Sequence, residues 1–137
     1  MRMGDKIHLK VITHQKIVFE DYIDELYVQA TDGRLGILKN HIPILVTLNV
    51  GVAKVVKDKI AQCIAVMGGI LKFANNEAII LTDVAELGCD IDVARANHAK
   101  ERALARIQAK DENMDMVRVQ VALSKAIARI SAAEKKF

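Results

Sequence analysis

The stretch Gly88-Cys89-Asp90-Ile91-Asp92-Val93-Ala94-Arg95-Ala96 separates two kinds of residue pattern and so decides the fold. Before it, apolar residues recur at every second position in short runs broken by turns. After it they recur at every third or fourth position, which is the helical spacing. Asp90 or Asp92 opens the first helix. A carboxylate there accepts from the unpaired first N–H groups and suits the positive end of the helix dipole. The charge balance changes at the same place. Residues 1–89 carry ten basic and ten acidic side chains, whereas residues 90–137 carry ten basic and seven acidic, so the net charge of +3 lies in the last third. The reading is an α+β chain: an antiparallel β-sandwich over residues 1–88, then a separable two-helix hairpin over residues 89–137.

Upstream of the boundary, Ile7, Leu9 and Val11 alternate with Lys6, His8 and Lys10. Leu26, Val28 and Ala30 alternate next, and Thr31-Asp32-Gly33 supplies a turn. Val50, Val52 and Val56 lead into the polar turn Lys57-Asp58-Lys59. Ile60, Gln62, Ile64 and Val66 then share one strand face, and Gly68-Gly69 breaks the run. Ile70–Phe73 pairs with Ala78–Leu81 across Asn75-Asn76. Turns this closely spaced between period-two runs argue for an antiparallel sandwich or a flattened barrel.

Downstream, residues 93–109 contain no Gly, Pro or Thr. Lys110-Asp111-Glu112-Asn113 interrupts the helical pattern, with Asn113 placed to cap a second helix. In that helix Val119, Ala122, Leu123, Ala126, Ile127 and Ile130 form an amphipathic stripe. A short polar link between two helices implies an antiparallel hairpin. The first helix offers mainly Ala96, Ala99 and Ala103, and alanine buries little area at about 25 cal/mol per Å². A hairpin held this weakly is expected to have two docking states.

The remaining composition is exclusionary. No apolar run approaches the roughly 18 residues that span a bilayer, so direct membrane insertion is not expected. Residues 1–6 lack the apolar core of a secretion signal, which favours the cytoplasm. Cys63 and Cys89 stand alone, with no CxxC, and read as reduced thiols rather than metal ligands. Tryptophan is absent and aromatics make up 4%, so stacking platforms for single-stranded nucleic acid are not expected. There is no P-loop and no nucleophile–base constellation, which argues against an enzyme.

Three segments carry a family resemblance. Gly36-Ile37-Leu38-Lys39-Asn40-His41-Ile42-Pro43-Ile44-Leu45-Val46-Thr47 resembles a G-[IV]-x-P-G-H-x-P-L-[LV]-T loop. Gly68-Gly69-Ile70-Leu71, followed by residues 78–86 ending in Asp83-Val84-Ala85-Glu86, resembles a Gly-Gly-turn-strand stretch ending in A-[DE]-x-A-E. The Ala- and Arg-rich helical hairpin is the third. In this order and spacing they resemble the epsilon subunits of bacterial F-type ATP synthases, over essentially the whole chain. Lys39-Asn40 departs from the usual Pro-Gly, and Arg34 stands where many relatives carry an acidic residue. The resemblance implies a sandwich of about ten strands at the foot of a rotating stalk. It implies binding to the gamma subunit and to the proton- or sodium-carrying c-ring, at the cytoplasmic side of the cell membrane and peripheral to it. It further implies that the helices either fold on the sandwich or extend along gamma toward the alpha and beta subunits and oppose ATP hydrolysis. Arg34, His41 and Arg118 are then assigned to partner contacts.

Ile91-Asp92-x-x-Arg95-Ala96 also resembles the ATP-binding motif I-D-x-x-R-A of some epsilon subunits, with Glu86 just upstream. Arg102 and Arg129 match two further basic positions, and Lys125 stands where ATP-binding relatives have arginine. The implied ligand is regulatory ATP, with no obligatory cofactor. On spacing alone, Asp92 is a helix cap and Arg95 a surface charge. Arg95, Arg102 and Arg106 recur at i, i+7, i+11, as do Arg118, Lys125 and Arg129. Two converging basic stripes suit phosphates; they equally suit solvent or an acidic partner surface. His41 reads as a loop-packing or interface residue and His98 as a solvated neighbour of the stripe. An alternative is a free-standing ATP-sensing module with no stalk role.

Overall fold

The structure, a computed structural model, describes residues 6–110 and 113–137. Eight strands come first: β1 (Ile7–Ile12), β2 (Ile17–Ile23), β3 (Glu25–Ala30), β4 (Gly33–Leu38), β5 (Ile44–Lys57), β6 (Ile60–Ala74), β7 (Glu77–Leu81) and β8 (Ala85–Leu87). A single 3-10 turn, Gly88–Asp90, leads to α1 (Val93–Ala109) and α2 (Met116–Ala133). The strands run β2-β1-β7-β6-β5-β3-β4, with β8 added beside β6. All pairs are antiparallel except β1 with β7, which is parallel. The alternation in Ile7–Val11 fixes which face of β1 is buried but not the direction of its neighbour.

The expected ten strands reduce to eight because β5 and β6 are long and each bends. Gly68-Gly69 does not break the strand as the sequence suggested. Pairing passes from Val50↔Met67 to Leu48↔Gly69 and leaves out Asn49 and Gly68. Each strand thus gains one residue, and its inward face changes parity. Ile64 and Val66 point into the main core before the bend, and Leu71 and Phe73 after it. On β5, Val46 and Leu48 give way to Ala53 and Val55. Gly68 and Gly69 have φ of 81° and 111°, and a methyl group on Gly69 would strike the Leu81 carbonyl oxygen, so only glycine fits there. On the other side of β5, where its ladder with β3 slips between Tyr27 and Ala30, side chains satisfy the backbone: Val52 N–H donates to Gln29 Oε1 at 3.1 Å, and Asn49 Nδ2 donates to the Ala30 carbonyl at 3.4 Å. The bend folds one continuous sheet into two layers around Ile7, Leu9, Val11, Leu26, Phe73 and Ile80. The turns at Asp58-Lys59 and Asn75-Asn76 adopt positive φ, as hairpin turns require.

One sheet layer is buried on both faces. Ile64 and Val66 face the sandwich core, whereas Cys63, Ala65 and Met67 face the other way, with Val52, and form a second cluster with Ala132 of α2. The hairpin is therefore docked: α2 lies on β5 and β6, and α1 packs on α2. Val119 and Ala126 of the expected α2 stripe are buried, but Ala122 and Ile127 are exposed, while Ala128 and Ala132 are buried instead. A single stripe would serve one contact face, and α2 has two, one on the sheet and one on α1. The cap of α2 is Asp115, whose carboxylate accepts from Arg118 N, not Asn113. Asp111 and Glu112 of the interhelical link lie outside the described residues. Lys6 is buried at the far end of the sandwich, where its Nζ donates to Asp24 at 2.9 Å and Asp58 at 3.0 Å.

Candidate functional site

Where the sandwich ends and the hairpin begins, a cleft of about 430 Å³ is lined by Glu86, Asp90, Ile91, Asp92, Arg95, Ala96, Ala99, Arg102 and Arg129. Its size lies within the roughly 300–1,000 Å³ of small-molecule sites. Three elements build it. On β8, Ala85 and Leu87 turn into the core, so Glu86 between them faces the helices, opposite buried Ala65. The 3-10 turn carries the chain around to Ile91. Asp92 then caps α1: its carboxylate accepts from Arg95 N at 3.1 Å, and Asp90 makes no such bond. From that start, Arg95 and Arg102 fall on one helix face two turns apart. Arg129 enters from α2, where its Nε donates to Glu86 Oε1 at 2.8 Å, both side chains being about one-third exposed.

The cleft is chemically divided. Carboxylates of Glu86, Asp90 and Asp92 stand at the sandwich end and accept hydrogen bonds from amino or hydroxyl groups. The guanidinium forks of Arg95, Arg102 and Arg129 suit phosphate or carboxylate oxygens. Ile91, Ala96 and Ala99 supply an apolar wall. Asp92 both caps α1 and lines the cleft.

Of the residues marked from sequence, Glu86, Ile91, Asp92, Arg95, Ala96, Arg102 and Arg129 meet here, and Lys125 does not line the cleft. A second groove of about 730 Å³ continues along the hairpin from Ala99 and Arg102 and brings Arg106 and Arg118 together, with Asp115 beside them. The basic stripes therefore converge, but in two places. Arg34 is far from both. Its Nη2 donates to the Phe137 carbonyl at 2.8 Å, so in the docked form it is engaged within the chain. His41 packs edge-on against Phe73 at 5.9 Å, and its Nδ1 lies 2.7 Å from the Ile42 carbonyl, which supports the loop-packing reading. Next to it Ile42 and Leu45 are 74% and 67% exposed, so the loop presents an apolar surface. His98 is exposed on α1. Among the described residues no group of three or more His, Cys, Asp or Glu is placed to hold a metal ion. Burial raises the pKa of the Cys63 thiol, beneath α2.

Sequence reasoning missed Asp90 as a lining residue and the role of Gly88. A methyl group on Gly88 would collide with the Ala132 carbonyl oxygen and lie 2.9 Å from the Cys63 carbonyl oxygen. The bare backbone at Gly88 is what lets α2 come down on the sheet beside the cleft.

Comparison with known proteins follows the same division. Residues 6–88 match the family described as ATP synthase, Delta/Epsilon chain, beta-sandwich domain, and residues 90–134 match its long alpha-helix domain. The ATP synthase epsilon chain of Desulforamulus reducens is 40% identical over 132 residues, 96% of this chain and 100% of that one. The ATP synthase epsilon chain of Halalkalibacterium halodurans is 40% identical over 128 residues, 93% of this chain and 96% of that one. A chain in the cryo-EM structure of the Euglena gracilis mitochondrial ATP synthase, OSCP/F1/c-ring in rotational state 1, has the same fold. It gives a TM-score of 0.80 at 20% identity, with 94% of this chain and 82% of that chain covered.

Proposed function

We propose a stalk and regulatory role for this chain, which belongs to the ATP synthase Delta/Epsilon chain family. The sandwich joins the gamma subunit to the c-ring, peripheral to the membrane on its cytoplasmic side, and the chain has no catalysis of its own. The hairpin is the regulatory part. Extended, it sets its arginines against acidic surfaces of the alpha and beta subunits and opposes ATP hydrolysis. Docked, it binds ATP in the cleft between β8, α1 and α2. Arg95, Arg102 and Arg129 hold phosphates, and Glu86 and Asp92 accept from the base or ribose.

What supports the ATP reading is the cleft itself, since seven residues marked from sequence come together there from three separate elements. Only docking assembles those elements, so ATP must favour the docked form in proportion to its differential affinity. The test is calorimetry and thermal unfolding of the whole chain with ATP. Ligand at 100 times its Kd should add about 2.7 kcal/mol of stability. Arg95→Ala should remove most of that. Lys125→Ala tests whether its ammonium group, carried on a long stem from outside the cleft lining, reaches a phosphate. Absence of heat and of any thermal shift at millimolar ATP would leave Asp92 as a helix cap alone. The free-standing sensor alternative differs in one observable: it would not co-purify with gamma.

A further inference from the structure

We propose that Arg34 and Phe137 form a latch that holds the end of α2 on the sandwich. The latch is remote from the ligand cleft and sets how often the cleft is assembled. The second clause rests on the ATP reading above, whereas the latch itself does not.

Four observations converge on it. First, α2 does not trail away. Lys136 N–H donates to the Ser131 carbonyl at 2.8 Å and Lys135 N–H to the Ala132 carbonyl at 3.1 Å, which turns the chain back on itself. Second, that turn places Lys135 at φ 57°, a left-handed conformation that costs a side-chain-bearing residue roughly 1 kcal/mol or more. The turn's own hydrogen bonds offset part of that cost, and contacts made beyond it add to them. Third, Phe137 lands on the sandwich. The Arg34 guanidinium lies 4.9 Å from its ring centroid, and the Tyr27 ring stands 6.2 Å away at 57°. Arg34 Nη2 also donates to the Phe137 carbonyl. Lys54, 5.6 Å over Tyr27, continues the cation–aromatic array. Fourth, Phe137 packs against the same apolar cluster that α2 covers, with Val52, Cys63 and Ala132. The cleft lies along another edge of α2 and shares no lining residue with this array. Two clamps therefore hold the hairpin: Glu86–Arg129 at the cleft and Arg34–Phe137–Tyr27 away from it.

The consequence is quantitative. When the binding-competent form is only a fraction of the population, apparent Kd is the intrinsic Kd divided by that fraction. A residue that never touches the ligand thus changes affinity by the factor by which it changes docking.

Cys63 provides the readout, because it is 2% exposed beneath α2 and becomes reachable when α2 lifts. In a Cys89→Ser background, a chromogenic aryl disulfide reports the open fraction, provided that closing outpaces modification. Phe137→Ala and Arg34→Gln should each raise the Cys63 rate about three- to tenfold, the first by losing the cation–π contact and the burial of the ring, the second by losing the cation–π contact and the hydrogen bond to the Phe137 main-chain oxygen. The double variant should raise the rate by less than the product of the two single effects, because both substitutions remove the one cation–π contact. Phe137→Leu, which keeps apolar burial but loses the ring, should fall between. Far-UV circular dichroism must show an intact sandwich in each. An unchanged Cys63 rate in Phe137→Ala, or multiplied effects in the double variant, overturns the latch. ATP titration is the second arm, and Phe137→Ala should raise the apparent Kd by the ratio of the docked fractions in parent and variant, which the two Cys63 rates fix. If the parent chain binds no ATP, the ATP reading fails while the Cys63 arm still decides the latch.

Discussion

Gly88→Ala is the sharpest single perturbation of the docked state. Gly88 sits in the 3-10 turn between β8 and α1, and the backbone of α2 at Ala132 rests directly on it. An added methyl group meets the Ala132 carbonyl oxygen and carbon on one side and the Cys63 carbonyl oxygen on the other. None of these is a flexible side chain, so relief requires α2 to move at Ala132 and the 3-10 turn to shift from the Cys63 carbonyl of β6. Overpacking of this kind costs about 1–3 kcal/mol. Charged to the docking equilibrium, that is a shift of roughly 5- to 150-fold toward the undocked form. The sandwich should survive, since its core residues lie on the other face of β6 and β8. Two assays separate the outcomes: Cys63 modification in a Cys89→Ser background, and urea unfolding of the sandwich. The expectation is a faster Cys63 reaction at little change in the sandwich midpoint, with weaker apparent ATP binding. Ala132→Val, approaching the same contact from α2, should act in the same direction. If Cys63 stays protected in both variants, α2 does not rest on Gly88 in solution and the docking argument fails.

Other consequences follow from the same geometry. Gly69→Ala forces a side chain into φ 111° and against the Leu81 carbonyl, and should cost the sandwich about 2–4 kcal/mol, read as a lower urea midpoint. The hydrogen bond from Lys6 holds the pKa of Asp24 below its ordinary value, and that from Lys57 does so for Asp21. Their stabilisation is therefore complete above pH 3.8 and lost as pH falls through the lowered native values. The pKa of Lys6 is raised by Asp24 and Asp58, so its share is complete below pH 10.5 and lost as pH climbs through the raised value. Melting temperature against pH should show both limbs, and Asp24→Asn should flatten each. In the assembled synthase, replacing Arg118, Lys125 and Arg129 with alanine should raise ATP hydrolysis several-fold without loss of assembly; an unchanged rate would mean that the tail does not inhibit through these charges.

The parts of the fold that were legible in sequence are those with one buried face. Ile7–Val11 and Leu26–Ala30 alternate cleanly, Ile70–Phe73 and Ala78–Leu81 flank the Asn75-Asn76 turn, and each is a strand where the sequence places it. What was obscured has physical reasons. The run Cys63-Ile64-Ala65-Val66-Met67 is apolar at every position because the layer is covered on both sides, the signature of a strand buried on two faces. The face Ile60, Gln62, Ile64 and Val66 reads as the buried one, which leaves the platform for α2 on the opposite face unmarked, and with it the second contact face of α2 at Ala128 and Ala132. Strands β2, β4 and β8 carry weaker alternation, and β8 is three residues long. At the cleft, spacing found Arg95 and Arg102 but had no means of showing that Arg106 and Arg118 meet in a separate groove, or that Lys125 stands aside. That depends on the rotation of α2 about its axis, which the sheet contact sets.

The position of the cleft has a consequence that does not depend on which ligand fills it. Glu86 belongs to the sandwich, Arg95 and Arg102 to α1, and Arg129 to α2, so no single element contains the site. Without ligand, Glu86 and Arg129 already bond across the boundary, and that pair holds α2 against β8. An anion arriving at Arg129 engages the remaining N–H groups of its guanidinium fork while Nε keeps Glu86, so ligand and clamp strengthen together rather than compete. Glu86→Gln separates the two contributions. It removes the charge that steadies Arg129 yet keeps an oxygen acceptor at Oε1. Docking should then weaken in the free chain, with Cys63 reacting faster, and saturating ligand should restore most of the protection. Were Glu86 to compete with the anion for Arg129 instead, the same substitution would tighten ligand binding, and the cleft would be a site that docking opposes.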